Sequence, residues 1–224
     1  MGRAAPSAYK HMENFNMKRF VPFAVLAFAA VAPLAAQSPA GWKLRVDRST
    51  TASDPDGAGD IKFVKAGTGF HATNPQAAVY WNPANTATGN YTLKATFSQL
   101  AKSGHTNYFG LVFGGSGLDG DAQAYIYFTV AQDGSWLVKR RDGNVASTVA
   151  PKTVAESVKK IDEAGKSTNT LEVRVSADKI DFVVNGTVVN TQKKEGPLAK
   201  TDGIYGIRVN HLLDVQIDGL TVTK

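Results

Sequence analysis

Residues 169–190, NTLEVRVSADKIDFVVNGTVVN, leave the chain little choice of local structure. Leu171, Val173 and Val175 alternate with Glu172 and Arg174. After the polar turn Ser176-Ala177-Asp178-Lys179, Ile180, Phe182 and Val184 alternate with Asp181 and Val183. A period of two places every second side chain on one face, so both runs read as strands with one buried side. Asn185-Gly186 then predicts a two-residue type I′ turn, which needs positive φ at both central residues. That turn pairs Val184 with Thr187 and Phe182 with Val189, keeping Val189 on the buried face. A meander of this kind cannot bury its apolar side alone, so it demands a second sheet.

The rest of the chain supplies the strands for one. Trp42, Leu44 and Val46 alternate in a first strand over 42–47, followed by an Asp/Gly-rich loop over 54–60. Short strands are expected at 61–65, 69–72 and 78–81, with a turn at Asn82-Pro83-Ala84-Asn85. Tyr91, Leu93, Ala95 and Phe97 mark a half-buried strand. Residues 107–113 are apolar on both faces, as in a central sandwich strand, and Gly114-Gly115-Ser116-Gly117 is read as ending that strand. In 122–130, Ile126, Phe128 and Val130 form one face with Ala124, while Tyr125, Tyr127 and Thr129 form the other. Asp133-Gly134 predicts a hairpin back through 136–140. Residues 142–168 are the least regular; Thr153-Val154-Ala155-Glu156 matches a capping box, with Val158 and Ile161 at helical spacing, so one short helix is expected. Tyr205, Ile207 and Val209 alternate in a late strand. The last strand changes phase between Val215/Ile217 and Leu220/Val222, which predicts a β-bulge at Asp218-Gly219. Many short strands with turn signals every 8–12 residues or so indicate an antiparallel sandwich or barrel.

The N-terminal region reads differently. Residues 17–36, MKRFVPFAVLAFAAVAPLAA, have the basic start, apolar run and small-residue end of a secretory signal peptide. The apolar run is shorter than the ~20 residues of a spanning helix and is interrupted by Pro22 and Pro33. Residues 1–16 read as an extension without fold signal, 37–41 as a short leader, and 42–224 as a single domain. A secreted or periplasmic location and no stable membrane span after cleavage are the expectations. Of 25 basic and 19 acidic side chains, residues 1–36 hold four and one, leaving 21 and 18, a net charge of +3. That balance does not suggest a nucleic-acid partner. Lys139-Arg140-Arg141 and Lys193-Lys194 read as solvated strand ends and turns. With no cysteine, disulfides and thiolate metal sites are excluded.

The segments NTLEVRVSADKIDFVVNGTVV, TDGIYGIRVN and LDVQIDGLTV resemble the C-terminal half of concanavalin A-like lectin/glucanase jelly rolls. The flavour is that of the laminin-G-like and 3-keto-disaccharide hydrolase-type domains of secreted bacterial proteins. The resemblance covers roughly residues 42–224 in strand order. It implies an all-β, antiparallel two-sheet jelly-roll sandwich, and it specifies fold better than activity.

Against that background, the residues favour binding over catalysis. The glucanases of the superfamily carry Glu-x-Asp-x-x-Glu on one strand face, and the motif is missing here. Beyond residue 36 the glutamates are Glu156, Glu163, Glu172 and Glu195, and the pattern places Glu172 on an outer face beside Arg174. No G-x-S-x-G elbow occurs. Secreted jelly rolls of the resembled kind bind glycans on an aromatic-bearing sheet face, where rings stack on sugars and Asn, Arg and Tyr bond to hydroxyls. The candidates here are Tyr125 and Tyr127, with Tyr108, Trp136, Arg140, Arg208 and Asn210 as neighbours; the alternative is that Tyr125, Tyr127 and Trp136 fill a second core layer under a loop. His105 and His211 read either as polar turn residues or as the rim of a shared cleft. Asp54, Asp56 and Asp60 could offer oxygens to calcium, although the bidentate Glu of a full calcium loop is lacking. The expectation is a secreted glycan-binding or cell-envelope module; the alternative is a 3-keto-glycoside or other glycoside hydrolase with a non-standard site.

Overall fold

The computed structural model describes residues 38–224, together with Met1 and Gly2. The expected signal peptide at 17–36 and nearly all of the extension before it lie outside the described residues. Residues 38–224 form two antiparallel seven-stranded sheets. Sheet A runs in the order β1 (Lys43–Asp47), β4 (Ala77–Ala87), β13 (Gly203–Val209), β6 (Tyr108–Ser116), β7 (Ala124–Ala131), β8 (Ser135–Asp142) and β9 (Val145–Val154). Sheet B runs β12 (Thr187–Lys193), β11 (Lys179–Val184), β10 (Ser167–Val175), β5 (Tyr91–Gln99), β14 (Leu213–Thr223), β3 (Gly69–Asn74) and β2 (Lys62–Ala66). This is the expected antiparallel two-sheet jelly-roll sandwich.

The core lies between the sheets and is built from the alternating sets. Leu93, Ala95 and Phe97, Leu171, Val173 and Val175, and Ile180, Phe182 and Val184 come from sheet B. They meet Phe109, Leu111 and Phe113, Ile126, Phe128 and Val130, and Ile207 and Val209 from sheet A. Phe182 sits at the centre, 5.1 Å from Phe128 and 6.3 Å from Phe113 between ring centroids. Aromatic pairs at such separations add to the stabilisation from burial itself.

The Asn185-Gly186 turn has the expected positive φ at both residues, 51° and 85°. Val184 pairs with Thr187, but the register then slips, so Phe182 faces Asn190 instead of Val189. Val189 falls in the resulting bulge and still packs against the core. Asn185 also does more than turn the chain: its side-chain oxygen accepts from Thr170 N at 2.8 Å and its amide donates to Ser157 O at 2.7 Å. The turn thereby anchors the loop after β9. The predicted bulge near Asp218-Gly219 is present, with the register against β5 shifting between Asp218 and Thr221.

Four local expectations are corrected. Asn82-Pro83-Ala84-Asn85 does not turn; it continues β4, opposite a register shift in β13 between Ile204 and Gly206. Proline is tolerated at such a bulge because no ladder donor is needed there. Gly114-Gly115 does not end its strand either. It is a bulge inside β6, and a side chain at Gly114 (φ 60°) would meet Lys200 O at 2.7 Å. The first strand starts at Lys43, one residue late, while Trp42 still packs on Phe63 and Phe70. Finally, the expected helix is missing among the described residues. Val145–Val154 forms the edge strand β9, largely exposed, where Pro151 and Lys152 guard an open edge. The helical spacing of Val154, Val158 and Ile161 was fortuitous: Val154 is exposed at the end of the strand and Val158 is buried in the loop beyond it.

Candidate functional site

The outer face of sheet A is set by strand register. Arg45, Val79, Arg208, Gly110, Thr129 and Leu137 lie in one row across β1, β4, β13, β6, β7 and β8. Trp81, Val112, Tyr127 and Lys139 lie in the row beside it. Alternation therefore gathers Tyr108, Tyr125, Tyr127 and Arg208 on one surface, as the phase of β7 predicts.

Most of that surface is closed. Val79, Trp81, Val112, Leu118, Tyr125, Tyr127 and Leu137 form a second apolar layer, with Tyr108 and Ile204 against it. Leu118 comes from the loop between β6 and β7. β1 ties that loop down through Arg45 Nη1 to Gly120 O (2.5 Å) and Lys43 Nζ to Asp119 Oδ2 (3.2 Å). The second-core-layer alternative thus holds for Tyr125, which is fully buried and cannot touch a ligand in this conformation.

A charged network runs under the layer. Arg208 Nη1 donates to Asp47 Oδ2 at 2.5 Å and to the Tyr125 hydroxyl at 3.0 Å. The Arg208 guanidinium also lies 5.0 Å from the centroid of the Tyr127 ring, a cation–π distance. Burial alone would raise the Asp47 carboxyl, but the charge and hydrogen bond of Arg208, then Arg141 and Arg45, hold it below the usual carboxylate range. Burial pushes the Tyr125 phenol up to about 12 and Tyr127 upward as well, so both remain protonated donors at neutral pH.

What stays open is a cleft of about 200 Å³ lined by Tyr108, Tyr127, Leu137, Lys139, Arg208 and Asn210. Its donors are Lys139 and the guanidinium edge, and the Tyr108 oxygen is an acceptor, its proton being given to Ser135. The Tyr108 hydroxyl is 3.0 Å from Ser135 Oγ, which donates to Asp133 Oδ1. Asn210 Oδ1 is buried at the same cleft and accepts no hydrogen bond.

Four of the expected ligand residues, Tyr108, Tyr127, Arg208 and Asn210, therefore meet at one cleft. Trp136 and Arg140 do not. Both belong to the opposite phase of β8: Trp136 packs in the main core against Phe128, and Arg140 donates to Pro197 O at the far side. Lys139 takes the place assigned to Arg140, because neighbouring residues of a strand face opposite ways. Asp47 and Lys139 were missed as site residues. The alternation Lys43, Arg45, Asp47 was legible, but which of its phases meets Tyr125 depends on the neighbour of β1, and no local pattern gives that.

His105 and His211 do come together, with ring centroids 5.2 Å apart and nearly perpendicular. Asp54 Oδ1 is 3.1 Å from the Nε2 of each, and Asp56 Oδ1 is 3.1 Å from His211 Nδ1. Asp54, Asp56 and Asp60 do not converge on a calcium cage. The first two face imidazoles, and Asp60 lines a separate recess of about 500 Å³ with Lys62, Thr73 and Asp214. Asp54, His105 and His211 form the one cluster of three potential metal ligands among the described residues. On the outer face of sheet B, Glu172 pairs with Lys94 (3.3 Å) and Arg174 (2.8 Å).

No family model matches the chain, and no curated protein matches it by sequence. Solved structures do. The carbohydrate-binding module CBM66 from Bacillus subtilis superposes with a TM-score of 0.59 at 12% identity, over 82% of this chain and 96% of that one. A GH16 protein of a Bacteroides ovatus mixed-linkage glucan PUL, in complex with a G4G4G3G product, gives 0.56 at 10% identity over 81% and 94%. A Bacillus subtilis protein of unknown function with a galectin-like fold gives 0.51 at 13% over 81% and 88%. At these identities the likeness establishes the fold.

Proposed function

We propose that this chain is a secreted or periplasmic glycan-binding module whose site is the cleft between Tyr108, Tyr127, Lys139, Arg208 and Asn210. The observation that carries the reading is the convergence of Tyr108, Lys139 and Arg208, from three strands, and Asn210, just past the end of β13, on one cleft that also presents the apolar Leu137. Sugar hydroxyls both donate and accept, so one ring can donate to the Tyr108 oxygen and receive bonds from Lys139 and the edge of Arg208 together. Leu137 and the Tyr108 ring offer apolar contact for the C–H face of the sugar. At about 200 Å³, the cleft is smaller than the roughly 300–1,000 Å³ of sites for drug-sized ligands. It suits a single sugar residue or a chain end. The similarity in fold to a carbohydrate-binding module and to a GH16 protein bound to a glucan product supports the ligand class.

Binding is favoured over hydrolysis by the state of Asp47. Glycoside hydrolysis in its usual form needs one carboxyl protonated near neutrality and a second about 5–10 Å away. Asp47 is the carboxylate of the charged network on this face, and arginines keep it ionised. The test is a glycan-array screen followed by calorimetry on the best ligand, with Lys139→Ala and Asn210→Ala as variants. Saturable binding lost in both supports the reading. Binding unchanged in both removes the cleft from it, and turnover of the bound glycan replaces it with catalysis.

A further inference from the structure

We propose that Asp54, His105 and His211 form a mononuclear site for a borderline divalent metal, zinc in the first instance, with Asp56 as the carboxylate that orients His211. The proposal is independent of glycan binding.

The argument starts from His211, which is only 5% exposed. Its Nδ1 lies 3.1 Å from Asp56 Oδ1, and Asp56 is itself fixed by accepting Ser49 N at 2.9 Å. A carboxylate opposite Nδ1 holds the proton there and leaves a lone pair on Nε2. That Nε2 is buried, makes no hydrogen bond, and stands 3.1 Å from Asp54 Oδ1. Two carboxylates thus flank one buried ring whose Nε2 makes no hydrogen bond, and the edge between Nε2 and Asp54 is where a cation fits. His105 Nε2 meets the same Asp54 oxygen at the same 3.1 Å, from the other side of a T-shaped ring pair. One carboxylate oxygen and two imidazole nitrogens thus lie within 4.8 Å of one another.

Tetrahedral bonds of about 2.0–2.2 Å separate ligand atoms by about 3.3–3.6 Å, so a metal enters with small side-chain shifts. Two imidazoles and a carboxylate suit zinc and its first-row neighbours, and they do not suit calcium, which takes six to eight oxygens or so. The Asp56–His211 contact supplies the outer-shell carboxylate that metal-bound histidines commonly have. Asp54 and His105 are about half exposed, 49% and 42% at their side chains, so a fourth position is left to water or a ligand oxygen. The three ligands come from the loop after β1, the loop before β6 and the residue after Asn210, segments far apart in sequence. A metal would join three loops of the fold in one site.

The test uses the purified chain freed of metal with a chelator. Zinc should bind with a stoichiometry of one and raise Tm, and cobalt should give the intense visible absorption of tetrahedral coordination. His105→Ala, at an exposed position, should keep the Tm of the metal-free protein and lose the cobalt spectrum. Asp56→Asn should weaken zinc binding by about 10–100-fold. The proposal is overturned by a Tm that zinc does not move, by a pale octahedral cobalt spectrum, or by zinc binding that His105→Ala and Asp54→Asn leave intact.

Discussion

Arg208 Nη1 lies 2.5 Å from Asp47 Oδ2, joining β13 to β1 across the intervening β4, with both side chains only about a tenth exposed. A buried pair of this kind is costly to break, because the surviving partner keeps its charge without a counter-charge. Asp47→Asn should lower stability by about 3–5 kcal/mol in chemical denaturation, with Arg208 the stranded group. A loss under about 1 kcal/mol would mean that water or another carboxylate reaches the guanidinium.

The same carboxylate gives the fold an acid-sensitive edge. Asp47 is held below its ordinary value in the folded state, and so is Asp133, which falls to about 2. At Asp133, burial opposes the shift and hydrogen bonds from Lys152 and Ser135 outweigh it. A depressed folded pKa means that the unfolded chain binds the proton first. The contribution is complete above the unfolded value near 4 and drains away as pH falls toward 2. Thermal melts should show Tm falling between those limits, and Asp133→Asn should flatten the fall. An acid profile identical in the variant would show that Asp133 carries none of it.

Phe182→Ala should cost about 3–5 kcal/mol, since the ring contacts aromatics of β6 and β7 and the cavity would lie at the middle of the core. Urea denaturation with an unchanged m-value is the measurement. A small effect would place Phe182 at a site able to collapse.

At the neighbouring turn, Gly186 has φ 85° and nothing near its would-be Cβ. Backbone strain is then the sole penalty for a side chain. Gly186→Val should destabilise by about 1–2 kcal/mol, and Gly186→Asn by clearly less, because Asn tolerates left-handed φ. Equal losses in the two variants would point to a cause other than φ.

Strand phases were legible wherever one face is buried. The sets from Leu93 to Phe97, Leu171 to Val175 and Ile126 to Val130 all point inward as their alternation required. Register within a hairpin was less so, because the bulge that moves Asn190 opposite Phe182 leaves no mark in the composition. The site was half legible. Alternation put Tyr125 and Tyr127 opposite the core, yet burial of Tyr125 is decided by Leu118, seven residues earlier in a loop whose path depends on Lys43 and Arg45. Trp136 and Arg140 were misplaced by one residue of phase. The meeting of His105, His211 and Asp54 is a product of topology, as the three sit in separate loops with no motif spacing between them.

The cleft itself separates ligand contacts from structural ones. Tyr127 is 8% exposed and its ring is occupied by Arg208, so Tyr127→Ala should lower Tm as well as affinity. Tyr108 is only partly buried, and its hydroxyl already has Ser135 as a partner. Tyr108→Phe keeps the ring and removes the hydroxyl; Tyr108→Ala removes both. If the ring stacks on a sugar and the hydroxyl bonds to it, affinity should fall in two steps. The hydroxyl step should be about 0.5–1.5 kcal/mol, and the full truncation about 1–3 kcal/mol, the range expected of an aromatic anchor. Glu172→Gln is the control on the opposite sheet, where Lys94 and Arg174 already occupy the carboxylate, and it should leave binding unchanged. Calorimetry on the four proteins with one glycan decides it. A glycan affinity indifferent to Tyr108 but sensitive to Glu172 would move the site from sheet A to sheet B.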